Sequence, residues 1–346
     1  MTKKIIIKLS CLVTILVALN VLYKYTLFQN DLKTKSPEAL AIKSQDLPDV
    51  YFFGESSNAT YRDSDSIKSS ITELASMFFP TIKIVPIVKP ATHAGIYKSW
   101  ARMIDLKKNK TKALIITLNL RSFDAAWIHS KLETQLQESM VLTQDHPPLL
   151  NRFQLSLQAF DNKTEKQREQ MMLEQWKNTP LLFPFAFPFK STADWDYAMA
   201  QGHYKKSDGT WDKEKNILAC HYIKAYAFNL NDQNPRVKDF DEIVMYCAKN
   251  RINLYLNLMA ENIDYADSLV GKELVFLMKQ NRDFIVKRYS KRTCVVIDNL
   301  DLVRGKDFID QNWTTEHYAY KGRMAIAKNL ALNLKKQFVK EYKDAY

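Results

Sequence analysis

Residues 50–57 read VYFFGESS, a short apolar run that ends at Gly54 and passes directly into small polar residues. An apolar run that stops at a glycine is typical of a buried strand entering a tight turn. Residues 63–77 follow with apolar side chains at helical spacing. The order of strand, turn and helix predicts that Ser56 lies on a turn of the kind that presents a nucleophilic serine.

The same alternation continues along the chain. Further strands are predicted at 81–88, 112–120, 251–258 and 293–298, and helices at 94–106, 239–249, 266–289 and 321–340. Strands separated by helices favour an α/β fold, here a flavodoxin-like three-layer α/β/α sandwich around a mainly parallel sheet.

The N-terminus has the pattern of a membrane anchor. Lys3 and Lys4 precede an apolar stretch at 5–23, and Lys24 follows it. About 20 apolar residues span a bilayer, so we predict a transmembrane helix within 1–25, provided that Lys8 snorkels to the cytoplasmic face. A cleaved signal peptide is the alternative, but residues 18–22 lack a small-x-small cleavage site. The positive-inside rule then predicts an extracytoplasmic body, in the periplasm or at the cell surface.

We predict three parts after this assignment: an anchor at 1–25, a polar linker at 26–46 and one α/β domain at 47–346. Residues 147–210 interrupt the alternation with a charged segment and a run of prolines and phenylalanines, and are predicted to be an insertion over the carboxyl edge of the sheet. The aromatic residues of this insertion form either its own core or a lip that faces substrate or membrane.

Composition excludes some classes of function. The net charge is +12, but the basic residues are spread among acidic ones and no nucleic-acid motif accompanies them, so we expect no nucleic-acid partner. The four cysteines have neither CxxC spacing nor a His/Cys cluster suited to zinc, which indicates no metal site and no cofactor. Cys220 and Cys247 are either a pair or, as we favour, buried apolar residues.

A serine nucleophile needs a base, and His317 is the best candidate among six histidines. It lies in a polar segment that leads into the last predicted helix, and such loops often carry catalytic groups. His93 is the reserve candidate. The structural alternative is that Gly54 only makes a turn, that residues 119–124 enter a helix capped by Ser122 or Asp124, and that Glu316 interacts with the last helix.

The order of Gly54-x-Ser56, Gly95, Asn119 and a C-terminal His317 resembles the SGNH (GDSL-like) hydrolase superfamily. The resemblance extends over the whole body after the anchor. It implies that Ser56 is the nucleophile and His317 the general base. It also implies an oxyanion hole made by the backbone N–H groups of Ser56 and Gly95 and by the side chain of Asn119, in an SGNH-like fold.

The chain departs from this pattern at the acid. The superfamily normally has an aspartate three residues before its histidine, where this chain has Thr314. Glu316 is the nearest carboxylate and our predicted third catalytic residue; the alternatives are Asp310, Asp298, Asp301 or a Ser-His dyad. Arg121, next to Asn119, is a candidate substrate-binding residue or a surface residue.

An N-terminal anchor before an SGNH-like body also resembles the DltD-type D-alanyl transfer proteins of teichoic-acid modification and the acetyltransferase accessories of polysaccharide export. This implies a serine esterase or O-acyltransferase that acts on acyl groups of envelope polysaccharide through an acyl-Ser56 intermediate. It also implies a membrane-bound O-acyltransferase as partner. The alternative is a catalytically decayed, membrane-anchored scaffold protein of an envelope-modification complex.

Overall fold

Five parallel strands form one sheet in the computed structural model, which describes residues 2–44, 48–104, 111–158, 160–161, 163–291 and 293–343. The strands are β1 (Val50–Gly54), β2 (Ile84–Val88), β3 (Ala113–Leu118), β4 (Asn253–Leu258) and β5 (Cys294–Asp298). The helices up to β4 are α1 (Thr2–Thr26), α2 (Phe28–Lys35), α3 (Pro37–Ser44), α4 (Ser56–Ala59), α5 (Ile71–Ser76), α6 (Ala94–Met103), α7 (Ala125–Ile128), α8 (Leu132–Leu142), α9 (Pro148–Ser156), α10 (Glu165–Asn178), α11 (Thr192–Ala200), α12 (Lys213–Tyr226) and α13 (Pro235–Lys249). They are followed by α14 (Ile263–Leu269), α15 (Lys272–Tyr289) and α16 (Tyr320–Lys335).

The strand order is β2-β1-β3-β4-β5, and each neighbouring pair is parallel. The order reverses between β1 and β3, so the connections that leave these two strands run to opposite sides. In open parallel sheets this reversal opens a crevice at the carboxyl ends of the strands, where ligands bind. Ser56 follows β1 and Asn119 follows β3, so both residues lie at this crevice.

Apolar side chains of the strands alternate between two cores. In β1, Tyr51 and Phe53 contribute to a core with α6, α12, α13 and α15, whereas Val50 and Phe52 contribute to a core with α5 and α16. Alternate side chains of a strand point to opposite faces, so the inner strands β1 and β3, which have helices on both faces, are buried along their whole length. The prediction of an α/β fold with a parallel sheet between helical layers is confirmed.

Two predicted helices differ from the observed ones. The helix predicted at 63–77 is only α5, because the buried guanidinium of Arg323 donates hydrogen bonds to the backbone carbonyls of Ile67 and Ser69, at 2.6 and 3.0 Å. The helix predicted at 266–289 is divided into α14 and α15 at Gly271, whose φ of +120° is open to glycine alone.

The predicted linker is largely helical. Residues 28–44 form α2 and α3, whose Leu32, Ala39 and Ile42 are buried. These helices are also tied to the body by polar contacts: Lys35 Nζ lies 2.6 Å from Glu138 Oε2. Residues 45–47 of the predicted linker lie outside the described residues. The polar composition of 26–46 did not indicate these packed helices, because a few buried apolar residues are enough to pack two short helices.

The anchor prediction is confirmed at the level of helix and hydropathy. The span Lys3–Thr26 has 24 residues and a mean hydropathy of 2.5, and its apolar window is fully exposed. Such a helix is apolar enough to span a membrane or to act as a signal anchor. The location of the body relative to that membrane stays a prediction.

The connection from β3 to β4 carries α7 to α13, so the predicted insertion at 147–210 is the central part of a longer helical segment. Its phenylalanines mostly pack on one another and on α15: the rings of Phe183 and Phe276 are 5.7 Å apart, and those of Phe187 and Trp195 are 4.8 Å apart. Phe185 is the exposed member of the group. Cys220 and Cys247 are both free.

Candidate active site

Ser56 is the first residue of the short helix α4, two residues beyond the end of β1. The turn before it needs a residue without a side chain, since a Cβ on Gly54 would lie 2.7 Å from Cε1 of the buried Phe52 ring and 3.3 Å from Thr117 Oγ1. The backbone N–H groups of a first helical turn have no acceptor within the helix. The strand-turn-helix geometry predicted for Ser56 is therefore the geometry observed.

His317 lies directly on this serine. Its Nε2 is 3.0 Å from Ser56 Oγ, although 261 positions separate the two residues along the chain. At this distance the hydroxyl can donate its proton to a neutral imidazole. The structure thus brings together the two residues that the sequence identified as nucleophile and base.

Asp310 is the carboxylate that orients the imidazole. Its Oδ2 is 2.8 Å from His317 Nδ1 and also accepts a hydrogen bond from Thr315 Oγ1. A carboxylate on Nδ1 holds the proton there, so that Nε2 faces the serine as a base. Ser56, His317 and Asp310 therefore have the connectivity of a catalytic triad.

The loop between β5 and α16 explains how an acid seven residues before the histidine reaches it. Phe308 and Tyr318 pair as an isolated antiparallel bridge, and Ile309 N donates to His317 O at 2.8 Å. This pairing folds the loop back on itself and places Asp310 opposite His317. The acid therefore reaches the histidine across a hairpin, from seven residues before it, and not from three residues before it as in the SGNH pattern.

The predicted acid, Glu316, has a different place. Its Oε1 and Oε2 accept hydrogen bonds from Nε and Nη2 of Arg121 at 3.0 and 2.7 Å, and both side chains are buried. Asp298, another candidate, lies 2.7 Å from Arg282 Nη1. The assignment of Glu316 as the acid on His317 is therefore corrected to Asp310, which the sequence offered only as an alternative.

Arg121 is likewise a buried structural cation. Besides Glu316, the guanidinium lies 5.0 Å from the centre of the Trp127 ring. Burial by itself would lower the pKa of Arg121, but the contact with Glu316 outweighs it and holds that pKa above its usual range. The candidate role in substrate binding is replaced by a role in connecting the end of β3 to the loop of His317.

Two further carboxyl groups, which the sequence analysis did not identify, lie around this ion pair. Glu55 precedes Ser56, and Glu261 follows β4; both are fully buried. Burial, followed by the charge of Glu316, raises the pKa of Glu55 and raises that of Glu261 well above its usual value. Tyr226 donates its hydroxyl to Glu261 Oε2 at 2.6 Å. The cluster is thus the Arg121–Glu316 pair flanked by two buried acids whose pKa values are raised. Their positions just after strand ends were the signal available in the sequence.

Asn119 can contribute to an oxyanion hole. It follows β3 at the crevice, and its Oδ1 accepts a hydrogen bond from Arg121 N at 3.1 Å. This contact orients the amide and leaves Nδ2 as the donor end, for which the described residues show no hydrogen bond. An amide donor beside a nucleophile stabilises the negative charge of a tetrahedral intermediate.

Gly95, the other predicted oxyanion donor, is differently engaged. Its backbone N–H donates to His93 Nδ1 at 3.1 Å, and His93 Nε2 lies 3.1 Å from Glu133. The N–H predicted to bind an oxyanion is thus the cap contact at the start of α6. The same contact accounts for His93, the reserve base, as a buried capping residue.

A cleft of about 900 Å³ opens beside the loop of the triad. Residues 311–313, which lie between Asp310 and His317, form one wall of it, and the opposite wall comes from α12 and α14. The half-exposed indole of Trp313 lies against the ring of His221, with the ring centres 4.0 Å apart. The rest of the lining is mixed, with polar side chains from Asp212, Glu214, Lys215, Ser268, Gln311 and Asn312 and apolar or aromatic ones from Ile217, Leu218, Tyr265 and Leu269.

No family model matches the sequence, and no curated protein matches it. Among solved structures, the chain is similar to the crystal structure of the lipase Lip_vut3 from a goat rumen metagenome, with 10% sequence identity and a TM-score of 0.32. The alignment covers 82% of this chain and 95% of that chain. A likeness at this level gives no information on the chemistry of this chain.

Proposed function

We propose that this protein is a membrane-anchored serine esterase or O-acyltransferase of the SGNH type, which acts on ester-linked acyl groups of envelope polysaccharide through an acyl-Ser56 intermediate. The observation that carries the proposal is the chain of contacts from Ser56 Oγ to His317 Nε2 at 3.0 Å and from His317 Nδ1 to Asp310 Oδ2 at 2.8 Å. This arrangement activates a serine for acyl transfer on many unrelated folds.

The reaction follows from these contacts. Ser56 Oγ attacks the ester carbonyl carbon while its proton moves to His317 Nε2, and Asn119 Nδ2 donates to the resulting oxyanion. The intermediate collapses, the alcohol oxygen leaves with the proton from His317, and the acyl group remains on Ser56. Water or a sugar hydroxyl then gives its proton to His317 and attacks the acyl carbon. The second intermediate collapses, His317 returns the proton to Ser56 Oγ, and the free acid or the new ester leaves.

The mixed lining of the cleft supports a glycan as the alcohol part of the substrate, because sugar rings have both apolar faces and hydroxyl groups. An exposed indole offers a flat apolar face to a sugar ring, while carboxylate, amide and hydroxyl groups around it can bind sugar hydroxyls. Residues 311–313 join this cleft to the triad within one loop.

In this proposal the choice between transfer and hydrolysis depends on the second acceptor. An open, half-exposed site admits water, whereas a bound glycan excludes it and presents a hydroxyl. A membrane-bound O-acyltransferase is proposed as the partner that supplies the acyl group next to the anchor. The alternative of a catalytically decayed scaffold rested mainly on the lack of an aspartate three residues before His317. Asp310 lies on His317 in its place, so that support is removed.

A fluorophosphonate probe tests the proposal on the full-length protein in detergent micelles. We expect wild type to be labelled, Ser56→Ala and His317→Ala to lose the label, and Ser57→Ala to keep it. Ser57 is the matched control because it is the neighbouring serine and is fully buried. Folded wild type without label, or label that survives Ser56→Ala, would reject an acyl-Ser56 enzyme.

A further inference from the structure

Helix α9 has an apolar face that no part of the described chain covers. Leu150, Phe153 and Leu157 are 44%, 59% and 61% exposed, and their spacing of three and four residues places them on one side of the helix. The opposite side, with Asn151 and Leu155, is buried against the body. A short surface helix that exposes three large apolar side chains in a row is unusual for a protein in water.

This helix is held against the apolar helix α1. Leu149 N, in the first turn of α9, donates to Asn20 Oδ1 of α1 at 3.0 Å. At the end of α1, Tyr23 donates its hydroxyl to Asp31 Oδ2 at 2.5 Å, and Arg152 Nε of α9 lies 3.4 Å from the same oxygen. Contacts at Leu149 and Arg152, both in the first half of α9, therefore fix the position of this helix along α1.

The contacts with α1 set the depth of α9 in a bilayer. A helix of 25 residues is roughly 37 Å long, whereas the hydrocarbon core is about 30 Å thick. Asn20 lies four residues before Lys24, which is about 6 Å along the helix axis. Amphipathic helices that lie in the membrane surface are buried to a depth of about 5–10 Å, a range that includes the roughly 6 Å between Lys24 and Asn20. Tyr23, Lys24 and Tyr25 are residue types that anchor helices at this level.

We infer that α9 is a second membrane contact, which lies in the lipid headgroup region beside α1 and inserts Leu150, Phe153 and Leu157 among the acyl chains. The occupant of this surface is the lipid bilayer itself, because the surface is continuous with a helix that the bilayer already surrounds. The two contacts together fix the orientation of the whole body on the membrane. This inference is independent of the chemistry at Ser56.

Spin labelling of the full-length protein in lipid nanodiscs tests the inference. Labels are placed at Phe153→Cys and Leu157→Cys in a Cys11→Ser background. Burial raises the pKa of the Cys220, Cys247 and Cys294 thiols to about 12, so the native buried cysteines do not compete for the reagent at neutral pH. The matched control is Leu332→Cys, which is 55% exposed on α16, against the other face of the sheet.

The measured quantity is the collision rate of each label with oxygen, which concentrates in lipid, relative to that with a water-soluble nickel chelate. We expect this ratio to be several-fold higher at 153 and 157 than at 332. Equal ratios at the three positions would overturn the inference. So would dipolar broadening at 153 that disappears on dilution with unlabelled protein, because it would assign the surface to a second copy of the chain.

Discussion

The guanidinium of Arg121 and the carboxylate of Glu316 make two parallel hydrogen bonds, at 3.0 and 2.7 Å, in the buried interior. His317 is the next residue, and its side chain points the other way, towards Ser56. Successive side chains of extended backbone alternate in direction, so the inward fixation of Glu316 holds the imidazole outward. The ion pair thus positions the imidazole of His317 beside Ser56.

Arg121→Met is expected to lower the free energy of unfolding by about 3–5 kcal/mol, because it leaves Glu316 buried without its partner. The double variant Arg121→Met/Glu316→Met removes both charges and should recover part of that loss. Arg102→Met is the control, since Arg102 pairs with Glu242 at 2.8 Å on the surface, where a pair contributes about 0–1 kcal/mol. Thermal unfolding in detergent micelles measures all three. Equal losses for Arg121→Met and Arg102→Met would contradict the buried pair.

Asp310→Asn is expected to lower kcat by about 10⁴ with little change in melting temperature, because an amide on Nδ1 favours the wrong tautomer of His317. Thr315→Ala should cause a smaller loss, since it removes one hydrogen bond to Asp310. Asp301→Asn, at an exposed aspartate beyond β5, should leave kcat unchanged. Steady-state hydrolysis of a small acetyl ester is the assay. A kcat that is unaffected by Asp310→Asn would return the site to a Ser-His dyad.

Asn119→Asp separates the two functions of the amide. The carboxylate retains an oxygen that can accept from Arg121 N, but it loses the Nδ2 donor and adds a negative charge near the oxyanion. We expect kcat to fall by roughly 10²–10³ or more, while the melting temperature changes little. Single-turnover acylation measures the step directly. An unchanged acylation rate would show that the oxyanion is bound by backbone N–H groups alone.

Glu261→Gln is expected to change how stability depends on pH. The folded-state pKa of Glu261 lies well above the value of about 4.3 for an unfolded glutamate. Between these two values the folded state binds the proton and the unfolded state does not, so this group stabilises less as the pH rises. The cost is about 1.4 kcal/mol for each pH unit between the two pKa values.

The glutamine cannot ionise, so the melting temperature of Glu261→Gln relative to wild type should rise from pH 4.5 to pH 8. Glu165→Gln is the control, because Glu165 is largely exposed and lies 3.4 Å from Lys131 on the surface. A difference that is constant with pH, as expected for Glu165→Gln, would mean that Glu261 is ionised in the folded protein.

Trp313→Ala is expected to raise KM for an acetylated polysaccharide about tenfold, equivalent to about 1.4 kcal/mol of binding. The KM for a small acetyl ester should change little, because a small ester does not extend into the cleft. Trp211→Ala, at a similarly exposed tryptophan outside this cleft, is the control. Equal effects on both substrates would place the sugar elsewhere.

The sheet and the Ser56–His317 pair could be predicted because their signals are local. Each strand is a short apolar run with a recognisable boundary, and Ser56 and His317 stand beside such boundaries. The acid could not be chosen in the same way. Glu316 is adjacent to His317 in sequence, whereas Asp310 reaches it only through the pairing of Phe308 with Tyr318, a contact that a linear pattern does not reveal.

The differences between prediction and structure at Gly95, Arg121 and residues 26–46 have a shared physical origin. A glycine N–H, an arginine and a polar segment all have hydrogen-bonding capacity that can be used inside the protein or outside it. Here all three bond within the protein: Gly95 N–H to His93, Arg121 to Glu316, and the helical segment through Lys35 to Glu138. Sequence patterns show this capacity but not its partner, because partners such as Arg121 and Glu316 are 195 positions apart.

The contacts of α1 with α2 and α9 bear on how freely the folded body can move relative to α1. A body on a flexible tether would sample a wide zone above the bilayer. Here Asn20 and Tyr23 join α1 to the folded body without an intervening free segment, so Ser56 stays at one distance from α1. For the function proposed above, this means that only acyl groups carried in one thin layer above the bilayer are within reach of Ser56.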